Sequence, residues 1–394
     1  MLKLKRLKIH KLPRVKPGTE LVFSDGINVL LGINGSGKTT LLKLICDLLS
    51  GNLQRLRDSE FHLEYELHNR EWPCTFSVQH RPVTRGDISV ENTTRSEAHL
   101  HAPDGPFTVL LEGNTVSVTS SGMAKKSRPL GRLAPLNIGN TAAFLPAESP
   151  PMLTRTERLD ESTHWLESVT DSASLEAYEP YAWDPVPTQR SPFENFILQL
   201  LRNSAEQDVH QIDAGQLPFL QATASVLGCA TASLQFDLQH KQRRDQDDFF
   251  LYTFGDFRFR FVKADGTRLT HHELSFGQQR LLAFHFYAAM HPEVIVADEL
   301  TNGMHHAMIG QCIDLIGERQ AFLATQNPLL IDNIGFSSLE QVQSTFILCT
   351  TERENDRERM VWRNMTAEEA QNFFREYQVG ISHTNDILRT WGLW

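Results

Sequence analysis

The feature that most constrains this chain is a glycine-rich loop at residues 32–39, which reads GINGSGKT. It has the spacing G-x4-G-K-T, it follows the apolar segment 25–31, and it precedes a stripe of leucine and isoleucine at 41–49. Glycines let consecutive backbone N–H groups turn toward a phosphate, and the N-terminus of the next helix adds a partial positive charge. The pattern therefore predicts a strand–loop–helix unit that binds a nucleoside triphosphate.

The polar residues of this loop have separate expected roles. Lys38 is predicted to reach the β- and γ-phosphate oxygens and to act in catalysis, and the Thr39 hydroxyl is predicted to ligate Mg²⁺. ATP and Mg²⁺ are therefore the expected ligands. The predicted nucleotide-binding residues of this region are Gly32, Asn34, Gly35, Ser36, Gly37, Lys38, Thr39 and Thr40.

A second motif, VIVADE at residues 294–299, is an apolar run that ends in two acids. It predicts a buried parallel strand whose C-terminal end opens at the phosphate site. Asp298 would hold Mg²⁺, usually through water, and Glu299 would orient and deprotonate the attacking water. Apolar runs that end in Asp-Glu also arise by chance, so this motif alone leaves a purely structural role open.

A third motif, LSFGQQR at residues 274–280, marks the start of a helix. Ser275 can be an ordinary N-cap, with Gln278 completing a capping box. Alternatively, a free serine hydroxyl and the small Gly277 at a helix start can clamp an anion.

The order and spacing of these motifs favour the functional interpretation. Ser275 lies 23 residues before Asp298 (298 − 275), which is the length of one helix and one strand. A later apolar segment at 321–324 leads to Gln326, in the place of a γ-phosphate sensor. Several motifs in one consistent order are far less probable by accident than any one of them.

Together these motifs resemble those of the ABC superfamily, and within it the soluble branch of RecF-like, SMC-like and OLD-like ATPases. This branch includes AAA-type ATPases of bacterial anti-phage defence systems. LSFGQQR resembles the ABC signature, VIVADE resembles Walker B, and TQNPLLID at 325–332 resembles the switch segment. FLPAE at 144–148 is similar to a segment near the Q-loop position.

The resemblance implies an α/β fold: an ABC-type P-loop ATPase head with a β-rich N-terminal lobe and an inserted helical lobe. The expected domains are an N-terminal ATPase lobe at 1–150 and a helical insertion at 151–230. A C-terminal ATPase lobe with a helical tail is expected at 231–394.

The resemblance also implies a head-to-tail ATP sandwich, and hence a homodimer or higher oligomer. Lys38, Thr39, Asp298 and Glu299 of one subunit would act on ATP capped by the signature motif of another. Glu299 would be the general base.

Three further site residues come from the same resemblance. Gln278 of the signature motif would contact the nucleotide, and Glu148, near the Q-loop position, would contact the metal. Gln326 replaces the usual switch histidine. Because a glutamine can hydrogen-bond a γ-phosphate but cannot change charge near neutral pH, slow hydrolysis is expected.

Three functions are compatible with these motifs. The first is a switch that controls a separate effector, a nuclease or toxin, in anti-phage defence, which rests on family analogy. The second is a RecF-like ATPase of DNA repair. The third, the nucleotide-binding subunit of a transporter, is disfavoured because Lys38 and Ser275 lie 237 positions apart (275 − 38) and the switch histidine is missing.

Charge bears on the choice between these functions. The net charge of −10 does not favour non-specific nucleic-acid binding over the whole surface, although a local patch leaves DNA possible. The segment 2–16 alternates leucine and isoleucine with basic residues, which predicts a half-buried edge strand. Its basic residues would either prevent the sheet edge from pairing with another chain or contact DNA. Its basic residues are Lys3, Lys5, Arg6, Lys8, Lys11, Arg14 and Lys16.

Cysteine usage and hydropathy bear on the compartment. The five cysteines are widely spaced and form no CxxC pair, which favours a reducing cytoplasm over a disulfide framework or zinc site. No apolar run reaches about 18 residues, so no membrane span is expected.

Overall fold

The structure is a computed structural model. The described residues are 2–69, 72–82, 93–102, 105–112, 115–120, 126–129, 158–159, 175–178, 209–244, 249–354, 357–379 and 384–390. The chain forms two compact units, one made of Met1–Thr156 with Glu318–Trp394 and the other of Glu157–Gly317. The first unit is therefore discontinuous in sequence.

The strands, in chain order, are β1 (Leu2–Lys11), β2 (Thr19–Val22), β3 (Ile27–Leu31), β4 (Phe61–Asn69), β5 (Trp72–Arg81), β6 (Thr93–Ala102), β7 (Gly105–Glu112), β8 (Thr115–Ser120), β9 (Lys126–Pro129), β10 (Leu175–Tyr178), β11 (Val209–Asp213), β12 (Cys229–Arg244), β13 (Phe249–Lys263), β14 (Arg268–Thr270), β15 (Val294–Asp298), β16 (Gln320–Ala324), β17 (Phe346–Glu354) and β18 (Arg357–Asn364). The α-helices are α1 (Lys38–Ser50), α2 (Pro218–Val226), α3 (Phe276–Met290), α4 (His306–Ile316), α5 (Pro328–Asp332), α6 (Leu339–Thr345), α7 (Ala367–Val379) and α8 (Thr384–Thr390). Mixed α/β structure is thus confirmed. None of these described helices is long and apolar enough to cross a membrane.

An antiparallel sheet in the first unit has the strand order β2-β1-β4-β5-β6-β7-β8-β9. On β1, Leu2, Leu4, Leu7 and Ile9 are fully buried while the intervening basic residues remain accessible, as the alternating pattern predicts. The prediction of an edge strand is wrong, because β1 pairs with β2 on one side and β4 on the other.

A second sheet of the first unit carries the glycine-rich loop. Strand β3 lies between β16 and β17 and is parallel to both, and β18 is antiparallel to β17. Apart from the partly buried Ile27, the apolar residues of β3 and β16 are buried, as expected for parallel strands covered on both faces.

One buried side chain joins the two sheets of the first unit. The Gln320 amide accepts from the Leu4 N–H at 2.7 Å and donates to the carbonyl oxygens of Leu4 at 2.8 Å and Ser24 at 2.7 Å. Because the polar atoms of this side chain are satisfied, a glutamine is tolerated at a fully buried position. The contact ties the start of the chain to residues more than 300 positions later.

The second unit is built on β10-β13-β12-β11, with β14 paired to β13. Helices α2 and α3 pack with this sheet through an aromatic core that includes Phe219, Phe236, Phe259 and Phe286. Much of the predicted helical insertion at 151–230 lies outside the described residues, so the predicted domain boundaries remain predictions.

Candidate functional site

The loop between β3 and α1 has the backbone that its glycines predict. Gly32, Gly35 and Gly37 have φ values of 149°, 84° and 89°, a region that favours glycine. Gly37 is the N-cap of α1, and a Cβ there would lie 2.3 Å from the Met360 sulfur. A Cβ on Gly32 would lie 2.1 Å from the Cys349 carbonyl oxygen. The predicted strand–loop–helix unit is therefore present, and close packing excludes side chains at Gly32 and Gly37.

The loop lysine is held by the loop itself. Lys38 is buried, and its Nζ donates to the carbonyl oxygens of Gly32 at 2.7 Å and Ile33 at 3.1 Å. The Ser36 hydroxyl is buried and has no hydrogen-bond partner among the described residues. A buried cation and an unsatisfied hydroxyl in one glycine-rich loop fit a phosphate group, because its oxygens can accept hydrogen bonds from both.

The predicted sensor residue lies beside the same loop. Gln326 follows β16, and its Nε2 donates to the Asn34 Oδ1. Its position is fixed by the next residue, because Asn327 donates through N–H to Thr325 Oγ1 at 2.9 Å and accepts from the Leu329 N–H at 3.0 Å. The structure therefore brings together two predicted nucleotide-site residues that are 292 positions apart.

In the second unit, the LSFGQQR motif forms the start of α3. Ser275 is the N-cap, and its backbone N–H donates to Gln278 Oε1 at 2.9 Å in a capping box, which confirms the structural interpretation of this pair. Ser275 is exposed, so capping does not exclude contact with an anion. Gly277 is buried, and a Cβ there would lie 2.1 Å from the Gly303 carbonyl oxygen.

The backbone just after β15 has an uncommon conformation and is held by the side chain of Arg280. Glu299, immediately after the strand, has φ 50°, a left-handed conformation that is uncommon for a residue with a side chain. Arg280 donates through Nη2 to the carbonyl oxygens of Asp298 at 3.0 Å and Glu299 at 2.7 Å, and through Nε to that of Leu300 at 3.0 Å. Because one guanidinium bonds three consecutive carbonyls, it holds the turn that carries the predicted general base.

Arg158 is a site residue that the sequence did not reveal. Its Nη1 lies 3.7 Å from Asp298 Oδ2, and both side chains are nearly buried. It belongs to none of the motifs, and no spacing rule connects it to Asp298. The predicted metal ligand therefore has a cationic neighbour in this structure.

The predicted residues thus form one group in each unit. The P-loop residues and Gln326 lie together in the first unit, and Ser275, Gly277, Gln278, Asp298 and Glu299 lie in the second. Glu148 lies outside the described residues. The roles given to all these residues remain predictions.

The basic segment of β1 and the turn after it is partly neutralised by acids. Lys3 donates to the carbonyl oxygens of Asp25 and Glu318. Four further residues of the segment form ion pairs with acids: Lys5 with Asp25, Arg6 with Glu20, Lys11 with Glu60 and Lys16 with Glu352. These ion pairs favour a solvated face over a patch that attracts phosphates.

Comparison with known proteins places this geometry in a family. A family model described as "AAA domain" matches residues 2–133. A second, described as "AAA domain, putative AbiEii toxin, Type IV TA system", matches residues 133–332, which is 200 of the 394 residues. No curated protein matches the sequence.

Three solved structures are similar to this chain at low identity. An SmcHead bound to the C-winged helix domain of ScpA has 12% identity and a TM-score of 0.43, over 92% of this chain and 98% of that one. The SMC head domain from Thermotoga maritima has 10% identity and a TM-score of 0.40, over 91% and 98%. A Smc head domain with an extended coiled coil, bound to the C-terminal domain of ScpA from Pyrococcus furiosus, has 13% identity and a TM-score of 0.40, over 96% and 100%.

The glycine-rich loop and both AAA-type family models define a P-loop protein with AAA-type domains. Because the second model covers more than half of the sequence, the chain belongs to the family described as "AAA domain, putative AbiEii toxin, Type IV TA system".

Proposed function

We propose that this chain is an ATP-dependent switch, which binds ATP with Mg²⁺, closes head-to-tail on a second copy and thereby controls a partner effector. The observation that carries this proposal is the contact between Gln326 and Asn34. It links the end of β16 directly to the phosphate loop, so that a γ-phosphate entering the loop would compete for the same amide.

The residues that bind ATP and the residue that activates water have distinct proposed roles in hydrolysis. Lys38 exchanges the carbonyl oxygens of Gly32 and Ile33 for phosphate oxygens when ATP binds. Thr39 and Asp298 would hold Mg²⁺, whose charge would offset the charge that develops on the phosphates. Glu299 takes a proton from the attacking water, whose oxygen bonds the γ-phosphorus as the bond to the leaving ADP oxygen breaks.

Turnover is proposed to be slow. Gln326 can donate a hydrogen bond to the γ-phosphate, but it remains neutral and therefore adds no positive charge in the transition state. Slow turnover suits a switch, because the ATP-bound state then persists long enough to act on a partner.

Exposed apolar side chains support closure on a second copy. Ile33 in the phosphate loop is 72% exposed, Phe276 in the signature motif 64% and Leu329 after the sensor 37%. Large apolar side chains at such exposure are typical of an interface that buries them. These three lie in the motifs that a head-to-tail sandwich brings face to face.

Mass measurement with and without ATP tests this proposal. We expect the Glu299→Gln variant, which binds ATP but hydrolyses it slowly, to be a dimer with ATP and Mg²⁺ and a monomer without nucleotide. Phe276→Ser in the Glu299→Gln background should weaken the dimer at least about tenfold, in line with loss of a central aromatic contact. The control Val379→Ser removes an equally exposed apolar residue outside the motifs and should leave dimerisation unchanged. A monomer under every condition would overturn the sandwich.

The biological output is proposed to be anti-phage defence through a nuclease or toxin effector. The family description names a putative toxin of a type IV toxin–antitoxin system, which favours a second candidate, that this chain is itself the toxic component. Expression of this chain alone in a bacterial host separates the two. Growth arrest that Lys38→Ala abolishes supports the toxin, whereas normal growth supports a separate effector.

DNA binding of the RecF-like kind is the remaining alternative. The ion pairs along β1 and the turn after it neutralise four of the seven basic residues there, which weakens attraction to a duplex. We therefore expect no ATP-dependent duplex binding by Glu299→Gln at low salt. Binding that weakens steeply as salt rises would instead support the DNA-repair function.

A further inference from the structure

Two histidines and a glutamate converge on the accessible face of the antiparallel sheet in the first unit. His10 lies on β1, and His62 and Glu64 lie two residues apart on β4. Their neighbours Ile9 and Leu63 are fully buried, so the three polar side chains project from the opposite face.

A β-bulge brings His10 into this group. The register between β1 and β4 passes from Ile9–Leu63 directly to Lys11–His62, so His10 is the extra residue. Bulges redirect a side chain that a regular ladder would place elsewhere. Here the redirected ring stacks on His62, with ring centroids 4.3 Å apart and an interplanar angle of 21°.

The ligand atoms of the three side chains point to a common region. Nε2 of His10 lies 3.0 Å and Nε2 of His62 lies 4.0 Å from the same Glu64 oxygen, Oε1. All three ligand atoms lie within 4.8 Å of one another. In a tetrahedral zinc site with bonds of about 2.0–2.2 Å, ligand atoms are about 3.4 Å apart, so side-chain shifts on the order of 1 Å complete the geometry.

The ligand atoms of His10 and Glu64 contact one another. Nε2 of His10 is buried and lies 3.0 Å from Glu64 Oε1, without a well-aligned hydrogen bond among the described residues. A bound metal ion would replace this contact with one bond to each of the two atoms.

We propose that His10, His62 and Glu64 form a binding site for one divalent transition-metal ion with the ligand preferences of Zn²⁺. Two imidazole nitrogens and one carboxylate oxygen match that ion, whereas Mg²⁺ prefers an all-oxygen shell. Because the side chains are about one-third exposed, water completes the coordination. The bound ion would cross-link β1 to β4.

The surrounding charges limit the affinity. Lys8 lies opposite Glu64 in the strand register and opposes a cation, whereas Lys11 is paired with Glu60. We therefore expect binding in the micromolar range.

Calorimetric titration of the untagged, nucleotide-free full chain with ZnCl₂ tests the site. Wild type should bind one Zn²⁺ per chain, and His10→Gln and His62→Gln should each lose at least about tenfold in affinity. The matched control is His68→Gln, because His68 lies on the same face of β4 beside Glu66 but belongs to no such cluster among the described residues. It should bind as wild type does.

A second measurement distinguishes loss of the metal site from misfolding of a variant. Zn²⁺ should raise the thermal unfolding midpoint of wild type and His68→Gln but not that of Glu64→Gln, which keeps both rings. Millimolar Mg²⁺ should not compete. Equal Zn²⁺ binding by wild type and by the folded cluster variants, or no binding by wild type at micromolar Zn²⁺, would overturn the proposal, and neither result bears on ATP binding.

Discussion

The guanidinium of Arg280 donates a hydrogen bond to the main-chain oxygen of Glu299, 2.7 Å away. It holds the backbone of the proposed general base, not its carboxylate. Since Glu299 has a positive φ of 50°, the neighbouring structure must compensate for its strain. Arg280 is therefore a positioning residue, whose loss should misplace the carboxylate without removing it.

Replacing Arg280 with lysine tests this role. Lysine keeps the positive charge but cannot bond three carbonyls with a planar fork. We expect kcat for ATP hydrolysis to fall by about 10²-fold, as a misplacement of about 1 Å can cause, with little change in KM. Arg268→Lys, at an exposed position on β14, should leave both parameters unchanged. A fall in ATP affinity with unchanged kcat would contradict the positioning role.

Gly277→Ala tests the close approach at the start of α3. An added Cβ would lie 2.1 Å from the Gly303 carbonyl oxygen, so the backbone must move. We expect the free energy of unfolding of the second unit to fall by about 1–3 kcal/mol. Gly215→Ala is the control, because a Cβ there meets nothing within 4 Å, and its unfolding midpoint should match wild type.

Arg158→Gln tests the cation beside the proposed metal ligand. Loss of the guanidinium leaves the nearly buried Asp298 carboxylate without this partner, so stability without Mg²⁺ should fall by about 2 kcal/mol. Mg²⁺ should restore part of that loss, because it would bind the same carboxylate. Denaturant unfolding with and without Mg²⁺ measures both effects.

Arg258→Gln is a matched control for that experiment. Arg258 lies 3.6 Å from Asp256 in the same unit, but both side chains are about half exposed. Exposed ion pairs contribute little, so this variant should be nearly neutral and insensitive to Mg²⁺. An equal effect of the two substitutions would show that burial at Asp298 does not matter.

His285 on α3 should make stability depend on pH. Burial lowers the pKa of its imidazole to about 4 from an ordinary 6.5. The Thr223 hydroxyl donates to the Phe219 carbonyl oxygen and lies 2.9 Å from His285 Nδ1. Because that hydroxyl has one proton, Nδ1–H of the neutral ring donates to it.

The direction of the pH effect follows from the lowered pKa. Between pH 6.5 and 4 the unfolded chain binds a proton that the folded chain does not, so the free energy of unfolding falls as pH falls through this range. The total loss should approach about 3 kcal/mol, from a shift of about 2.5 pH units. Unfolding of wild type and His285→Asn at several pH values checks this, with the exposed His272→Asn as control. His285→Asn should show a weaker pH dependence, and an unchanged one would contradict the assignment to His285.

Local sequence chemistry predicted the parts of the site that depend on neighbouring residues. The positive φ angles of the phosphate loop and the cap between Ser275 and Gln278 both follow from residues a few positions apart. The contacts of Arg158 with Asp298 and of Gln320 with Leu4 depend on distant segments, and no spacing encodes them. The placement of β1 inside its sheet was missed because alternation reports which face is buried, not which edges are paired.

The contact between Gln320 and Leu4 has a consequence for synthesis on the ribosome. The first unit resumes only after the 161 residues from Glu157 to Gly317, and its first strand receives the Gln320 amide only then. Leu4 and Gln320 are 316 positions apart, so at roughly 5–20 residues per second β1 waits on the order of 15–60 s for this partner. The nascent chain therefore emerges with β1 complete but without the buried Gln320 amide that hydrogen-bonds to Leu4. During this time, chaperones that bind apolar strands can bind β1.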